Sequence, residues 1–182
     1  MLDARSPEDR RDSTARRFFA GLTEYAFQSR LGVVDPPLVD YVSELLERFV
    51  STSSVYGVRG VRGEQLTQVA DMLAEAEARI GPARRRVHRH IGDFTLFWMG
   101  VYPEMAERIK RMGLKDALLD YRDQGRRAYF LASRIPTENT NAPGDLLERM
   151  ADQFELIEYG LAEVRRLWDE RDNENEPLGI IV

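Results

Sequence analysis

Seven apolar residues, Leu147, Met150, Phe154, Ile157, Leu161, Val164 and Trp168, recur alternately three and four positions apart near the C-terminal end of this chain. A period of 3.5 is the mark of a helix with one continuous apolar seam. The helix expected from it spans roughly Asp145 to Arg171. Such a seam is stable only against a partner along its full length, either in the same bundle or in a second subunit. Whatever else the chain does, it has to supply helices.

The rest of the sequence does so. In "DPPLVDYVSELLERFV", Asp35 is an N-cap candidate and Pro36 suits a first helical turn. Leu38, Tyr41, Val42, Leu45, Leu46 and Phe49 then mark a buried helical face. An earlier helix is expected from Ser13 or Thr14 to near Gly32, carrying Phe18, Leu22, Tyr25 and Ala26 on one side. A third starts near Glu64, buries Leu66, Val69, Ala70, Leu73 and Ile80, and stops at Gly81-Pro82. A fourth runs to about Val101, with Pro103 kinking it or opening a short successor. Residues 115–135 read as one more helix, halted by Pro136.

Strand alternation is absent except in "SVYGVRGV", whose glycines weaken it. The expected architecture is all-α: a single-domain bundle of six to seven helices over residues 13–171, ending in the long heptad-patterned helix. Residues 1–12 read as a flexible tail. Residues 172–182 join an acidic linker to the apolar end "PLGIIV".

Composition removes several functions. The absence of cysteine excludes disulfides, thiolate zinc sites, iron–sulfur clusters and cysteine nucleophiles. A net charge of -5 argues against general nucleic-acid binding. The "RRRVHRH" run at 84–90 does not change this, since on a helix its charges spread around most of the circumference. No apolar run approaches the roughly 18 residues of a membrane span, and the N-terminal "MLDARSPEDRRDSTARR" lacks the apolar segment of a signal peptide. A cytoplasmic protein is the expectation. Lys110 and Lys115 are the only lysines, which reads as a GC-rich coding bias toward arginine.

Three stretches carry chemistry. In "HRHIGD", His90 and Asp93 are three apart, hence helical neighbours, and an imidazole oriented by a carboxylate is a candidate general base or metal ligand. His88 points elsewhere, so the two histidines do not chelate a metal together. Neither has a glutamate three residues before it, which argues against a ferritin-like di-iron centre. No metal site is expected. The alternative for His90–Asp93 is a hydrogen bond satisfying two polar groups beside the core. In "GVRGVRGE", residues 57–64, Arg59 and Arg62 among three glycines suggest a weak phosphate or carboxylate site, set against a plain interhelical loop. In "YRDQGRRAYFLAS", Gly125, Ala128 and Ala132 favour close helix packing, while Tyr121, Arg126 and Tyr129 are candidate ligand contacts.

The leading functional expectation is a self-associating interaction or regulatory module, acting through the 145–171 helix and the 177–182 tail. The alternative is a small-molecule-binding helical protein or enzyme with a pocket between the His90 and Tyr129 helices.

Overall fold

Every residue from Ile91 to Phe97 is buried, Asp93 among them, because the helix that carries them, α4 (Gly81–Val101), runs through the middle of the fold. It packs against α2 (Pro36–Val50), α3 (Val69–Ala78), α6 (Tyr121–Ser133) and α8 (Phe154–Glu174). The computed structural model describes the chain apart from residues 1–6, 51–56, 61–62, 112–114, 139 and 175–182; it describes no side chains in 7–13 and 172–174 or at 106, 109 and 110.

Small residues set how closely these helices approach. A Cβ on Gly92 would stand 2.7 Å from the Tyr129 ring, and one on Gly125 would stand 2.6 Å from the Phe154 ring. Both glycines are buried, so α4, α6 and α8 meet where the side chain is missing. The core around them holds Leu38, Leu45, Leu46, Ile91, Leu96, Leu147 and Met150, each with at most 1% of its surface exposed. Each such side chain contributes about 1.5–3 kcal/mol relative to exposure.

The remaining elements enclose this centre. The chain enters through α1 (Pro7–Glu24), which continues as a π-helical turn over Tyr25–Arg30 and packs on α2 and α8. Gly32, at φ 68°, ends the turn in a conformation that favours glycine. Asp35 then caps α2 as its sequence suggests, accepting from the Leu38 amide at 3.2 Å, and pairs with Arg149 at 2.8 Å. That ion pair ties α2 to α7 (Gly144–Asp152). Beyond α4 come α5 (Pro103–Arg111) and a short 3-10 turn, Lys115–Leu118.

The fold is all-α, with eight α-helices among the described residues. None is long and apolar enough to cross a membrane. Several boundaries differ from those the sequence predicts. The first helix starts at Pro7 rather than Ser13 or Thr14, within the stretch expected to be a tail. The third starts at Val69 rather than Glu64, because the intervening backbone makes a small hairpin: Leu66 N donates to Val58 O, Gly60 N to Glu64 O and Gly63 N to Gly60 O. Arg59 and Gln65 form its single antiparallel bridge, and the buried Val58 and Leu66 anchor it.

Residues 115–135 are not one helix either. Asp116 is drawn off to cap α3 from outside, accepting from Val69 N at 2.8 Å and Ala70 N at 2.9 Å. The chain therefore restarts at Asp120, whose carboxylate accepts from the Arg122 and Asp123 amides. The 145–171 helix is interrupted at Gln153, with φ −103° and ψ 19°, so that α7 packs on α6 and α2 while α8 follows α4 and α1. Its stripe is nevertheless continuous: Leu147, Met150, Phe154, Ile157, Leu161 and Val164 are all buried within this one chain, and Trp168 packs on Phe19. The 177–182 tail lies outside the described residues.

Candidate functional site

One open cavity of about 360 Å³ lies between the C-terminal half of α2, the 58–66 hairpin and the Arg86–Asp93 stretch of α4. Among the described residues its wall contains five arginines, Arg48, Arg59, Arg79, Arg86 and Arg89, together with Phe49, Val87, His90 and a single acid, Asp93.

Asp93 is nearly sealed, with 3% of its side chain exposed. Its Oδ1 accepts from the Tyr41 hydroxyl at 2.6 Å and the Tyr129 hydroxyl at 2.8 Å, so α2 and α6 meet α4 on one oxygen. Its Oδ2 accepts from Arg48 Nη2 at 3.0 Å, and Arg89 Nε stands 4.0 Å away. Burial first, then the Asp93 charge, pushes both tyrosines well above the ordinary tyrosine range. They stay protonated and act as donors. The Arg48 guanidinium lies over the Tyr41 ring at 5.5 Å, which fixes it further.

The other arginines are answered less fully. Arg79 pairs with Glu75 at 2.6 Å and donates to the Arg59 carbonyl at 2.7 Å, bracing the hairpin. Arg59 itself donates to the Gly63 carbonyl at 3.1 Å. Arg89 reaches the Asn141 side chain at 3.4 Å. Arg86 is exposed and has no hydrogen-bond or ion-pair partner among the described residues. A cavity holding this much positive charge attracts anions, and arginine forks match carboxylate and phosphate oxygens bidentately.

Three of the candidates named from sequence, Arg59, His90 and Asp93, thus line one cavity. Tyr129 touches it from beneath through Asp93. His90 and Asp93 are not each other's obvious partner: Asp93 is held by α2 and α6, while the His90 ring stacks on Phe49 at 5.8 Å and 24°. The other candidates lie elsewhere. Tyr121 is buried and donates to Asp116 at 2.5 Å, and Arg126 is exposed on α6, 3.9 Å from Glu155. Arg62 lies outside the described residues.

Sequence reasoning passed over Tyr41, Arg48, Arg79, Arg86 and Arg89. The signal for four of them was present. Arg86, Arg89, His90 and Asp93 stand at helical intervals of three, one and three, hence on one face of α4. Tyr41 and Arg48, seven apart, likewise share a face of α2.

Between α3, α4 and α6 lies a second, smaller cavity of about 270 Å³, lined by Leu73, Glu77, His88, Gln124, Arg127 and Leu131 among others. His88 is 1% exposed. Its Nε2 faces Arg84 Nε at 3.4 Å, and its Nδ1 is buried without a partner among the described residues. Burial, then the Arg84 charge, lowers its pKa below the usual histidine value. Among the described residues no three histidine or acidic side chains converge as a metal site would need. No protein family matches the chain, and neither the curated proteins nor the solved structures contain a significant match.

Proposed function

We propose that this chain binds a small anionic ligand in the arginine-walled cavity between α2, the 58–66 hairpin and α4. The observation that carries the reading is the imbalance of charge at one partly enclosed place: five guanidiniums line it against the single carboxylate of Asp93. That carboxylate is turned inward, with both oxygens already accepting hydrogen bonds. It steadies Arg48 and does not face a ligand as a repelling charge.

The cavity volume sits at the low end of the range for small-molecule sites, about 300–1,000 Å³. The Asp93 network ties α2, α4 and α6 together below it, and Arg79 bonds to the Arg59 carbonyl above. A site of this kind binds with little reorganisation. The chemistry supports capture of an anion by the guanidiniums of the wall.

Self-association, the other reading, has less behind it. The apolar seam that called for a partner helix is buried against the chain's own helices. Light scattering of the full chain measures that question separately from ligand binding.

Isothermal titration of the full chain with inorganic phosphate, citrate and acetate at fixed ionic strength tests the proposal. At least one of these anions is expected to bind, more weakly as salt rises, and Arg86→Gln is expected to weaken it without altering the melting temperature. Absence of binding across the series sinks the reading.

A further inference from the structure

Resting on the anion-binding reading, we infer that the cavity is matched to a compact polyanion, a ligand carrying two or three negative charges on clustered oxyanion groups, and not to a monoanion or a nucleotide. The first argument is the count of unanswered charge. Of the five guanidiniums in the wall, Asp93 offsets the charge of one and Glu75, through Arg79, that of another. Among the described residues three positive charges then exceed the carboxylates paired with the wall. They are distributed over Arg59 on the hairpin and the Arg86–Arg89 face of α4, with Arg89 sharing Asp93 only at 4.0 Å. A monoanion would leave most of that charge uncompensated, with the guanidiniums around the cavity still repelling one another.

The second argument is the source of the cations. Arg59 comes from the hairpin and Arg86 and Arg89 from α4, so they flank the cavity from two sides. Guanidinium forks arranged around a space favour a group with oxygens pointing in several directions, as in linked phosphates or a branched polycarboxylate. These two classes share the chemistry that the wall recognises.

The third argument concerns what the cavity lacks. A nucleotide gains affinity by stacking its base on an aromatic face, worth about 1–3 kcal/mol per base. The aromatics here are already engaged: Phe49 is 4% exposed, with His90 stacked on it at 5.8 Å and Phe97 against it at 5.1 Å. His90 packs in turn near Phe94 at 6.2 Å. Among the described residues no open aromatic face remains for a base, and the volume is small for one in addition to its phosphates.

The test is a titration series on the full chain at constant ionic strength, using acetate, inorganic phosphate, inorganic pyrophosphate, citrate, AMP and ADP. Pyrophosphate or citrate is expected to bind at least tenfold more tightly than phosphate, and acetate to bind least. ADP is expected to bind no more tightly than pyrophosphate. Arg59→Gln and Arg86→Gln are each expected to weaken the pyrophosphate or citrate complex by fivefold or more, with the thermal unfolding of the free protein unchanged. Preference between pyrophosphate and citrate distinguishes a phosphate ligand from a polycarboxylate. Acetate or phosphate binding as tightly as both polyanions overturns this inference and leaves the anion site standing. So does ADP binding tenfold more tightly than pyrophosphate. Binding that neither arginine variant weakens overturns both, since it places the ligand outside the cavity.

Discussion

Tyr41 and Tyr129, from helices α2 and α6, donate their hydroxyls to the same oxygen of a third helix, Asp93 Oδ1, at 2.6 and 2.8 Å. With Arg48 on the other oxygen at 3.0 Å, this is a buried polar joint in which one carboxylate satisfies three donors. Removing the acceptor leaves two hydroxyls and a guanidinium without their partner. Breaking a buried charged pair from one side costs about 3–5 kcal/mol. Asp93→Leu is therefore expected to lose stability of that order in urea unfolding. Tyr129→Phe, which removes one donor and leaves the carboxylate with two, is expected to lose about 1–2 kcal/mol. Equal stability of Asp93→Leu and wild type would show that the joint holds nothing together.

The cap on α3 is a second place where a carboxylate works across the fold. Asp116 belongs to the 3-10 turn after α5, yet it accepts from the first two amides of α3 and from the Tyr121 hydroxyl, and it is fully buried. Losing an N-cap costs about 1 kcal/mol, and leaving buried donors unsatisfied adds about 1–3 kcal/mol. Asp116→Ala is expected to destabilise the protein and to speed hydrogen exchange at the Val69 and Ala70 amides ahead of the rest of α3. Uniform exchange along α3 in that variant would contradict a capping role.

Gly92 offers a test in which helix propensity and packing oppose each other. Alanine is favoured over glycine by about 1 kcal/mol in a helix interior. At Gly92, however, a Cβ would stand 2.7 Å from the Tyr129 ring. The ring would have to move, and its hydroxyl is bound to Asp93. Overpacking of this kind costs about 1–3 kcal/mol. Gly92→Ala is expected to be less stable than wild type by calorimetry, whereas a solvent-facing glycine would give a gain.

How much of this was legible in the sequence depends on what each feature needed. The α2 face, from Leu38 to Phe49, and its Asp35 cap follow from spacing alone, since both are local. The stripe from Leu147 to Trp168 is equally visible, but its interruption at Gln153 is not: the break goes with α7 and α8 packing largely on different helices, which spacing along the chain does not show. Asp116 looked like an ordinary residue at the start of a helix, because its two amide partners lie some 46 residues earlier in the chain. The cavity was half visible. Arg59, His90 and Asp93 each drew attention from their own surroundings, yet nothing local brings the hairpin, α2 and α4 to one place. The pairing that spacing suggested for Asp93, with His90, gives way to donors from α2 and α6, because tertiary hydroxyls approach Oδ1 at 2.6 and 2.8 Å.

His88 gives the fold a dependence on pH whose sign can be worked out. The imidazole is buried, with Arg84 at 3.4 Å and Arg127 across the same small cavity, and only Glu77 favouring its charged form. Burial and the two arginines outweigh Glu77, so the folded-state pKa lies below the unfolded value of about 6.5. As pH falls, the unfolded chain takes up this proton before the folded protein does. Stability is therefore full above the unfolded value and declines as pH drops from there toward the folded value. For one proton the slope is at most about 1.4 kcal/mol per pH unit. Urea unfolding of wild type at pH 7.5, 6.5 and 5.5 is expected to show this decline, and His88→Leu, which has no imidazole to protonate, is expected to show a shallower one. The same slope in both proteins would mean that other groups carry the acid sensitivity and that His88 is protonated at no cost to the fold.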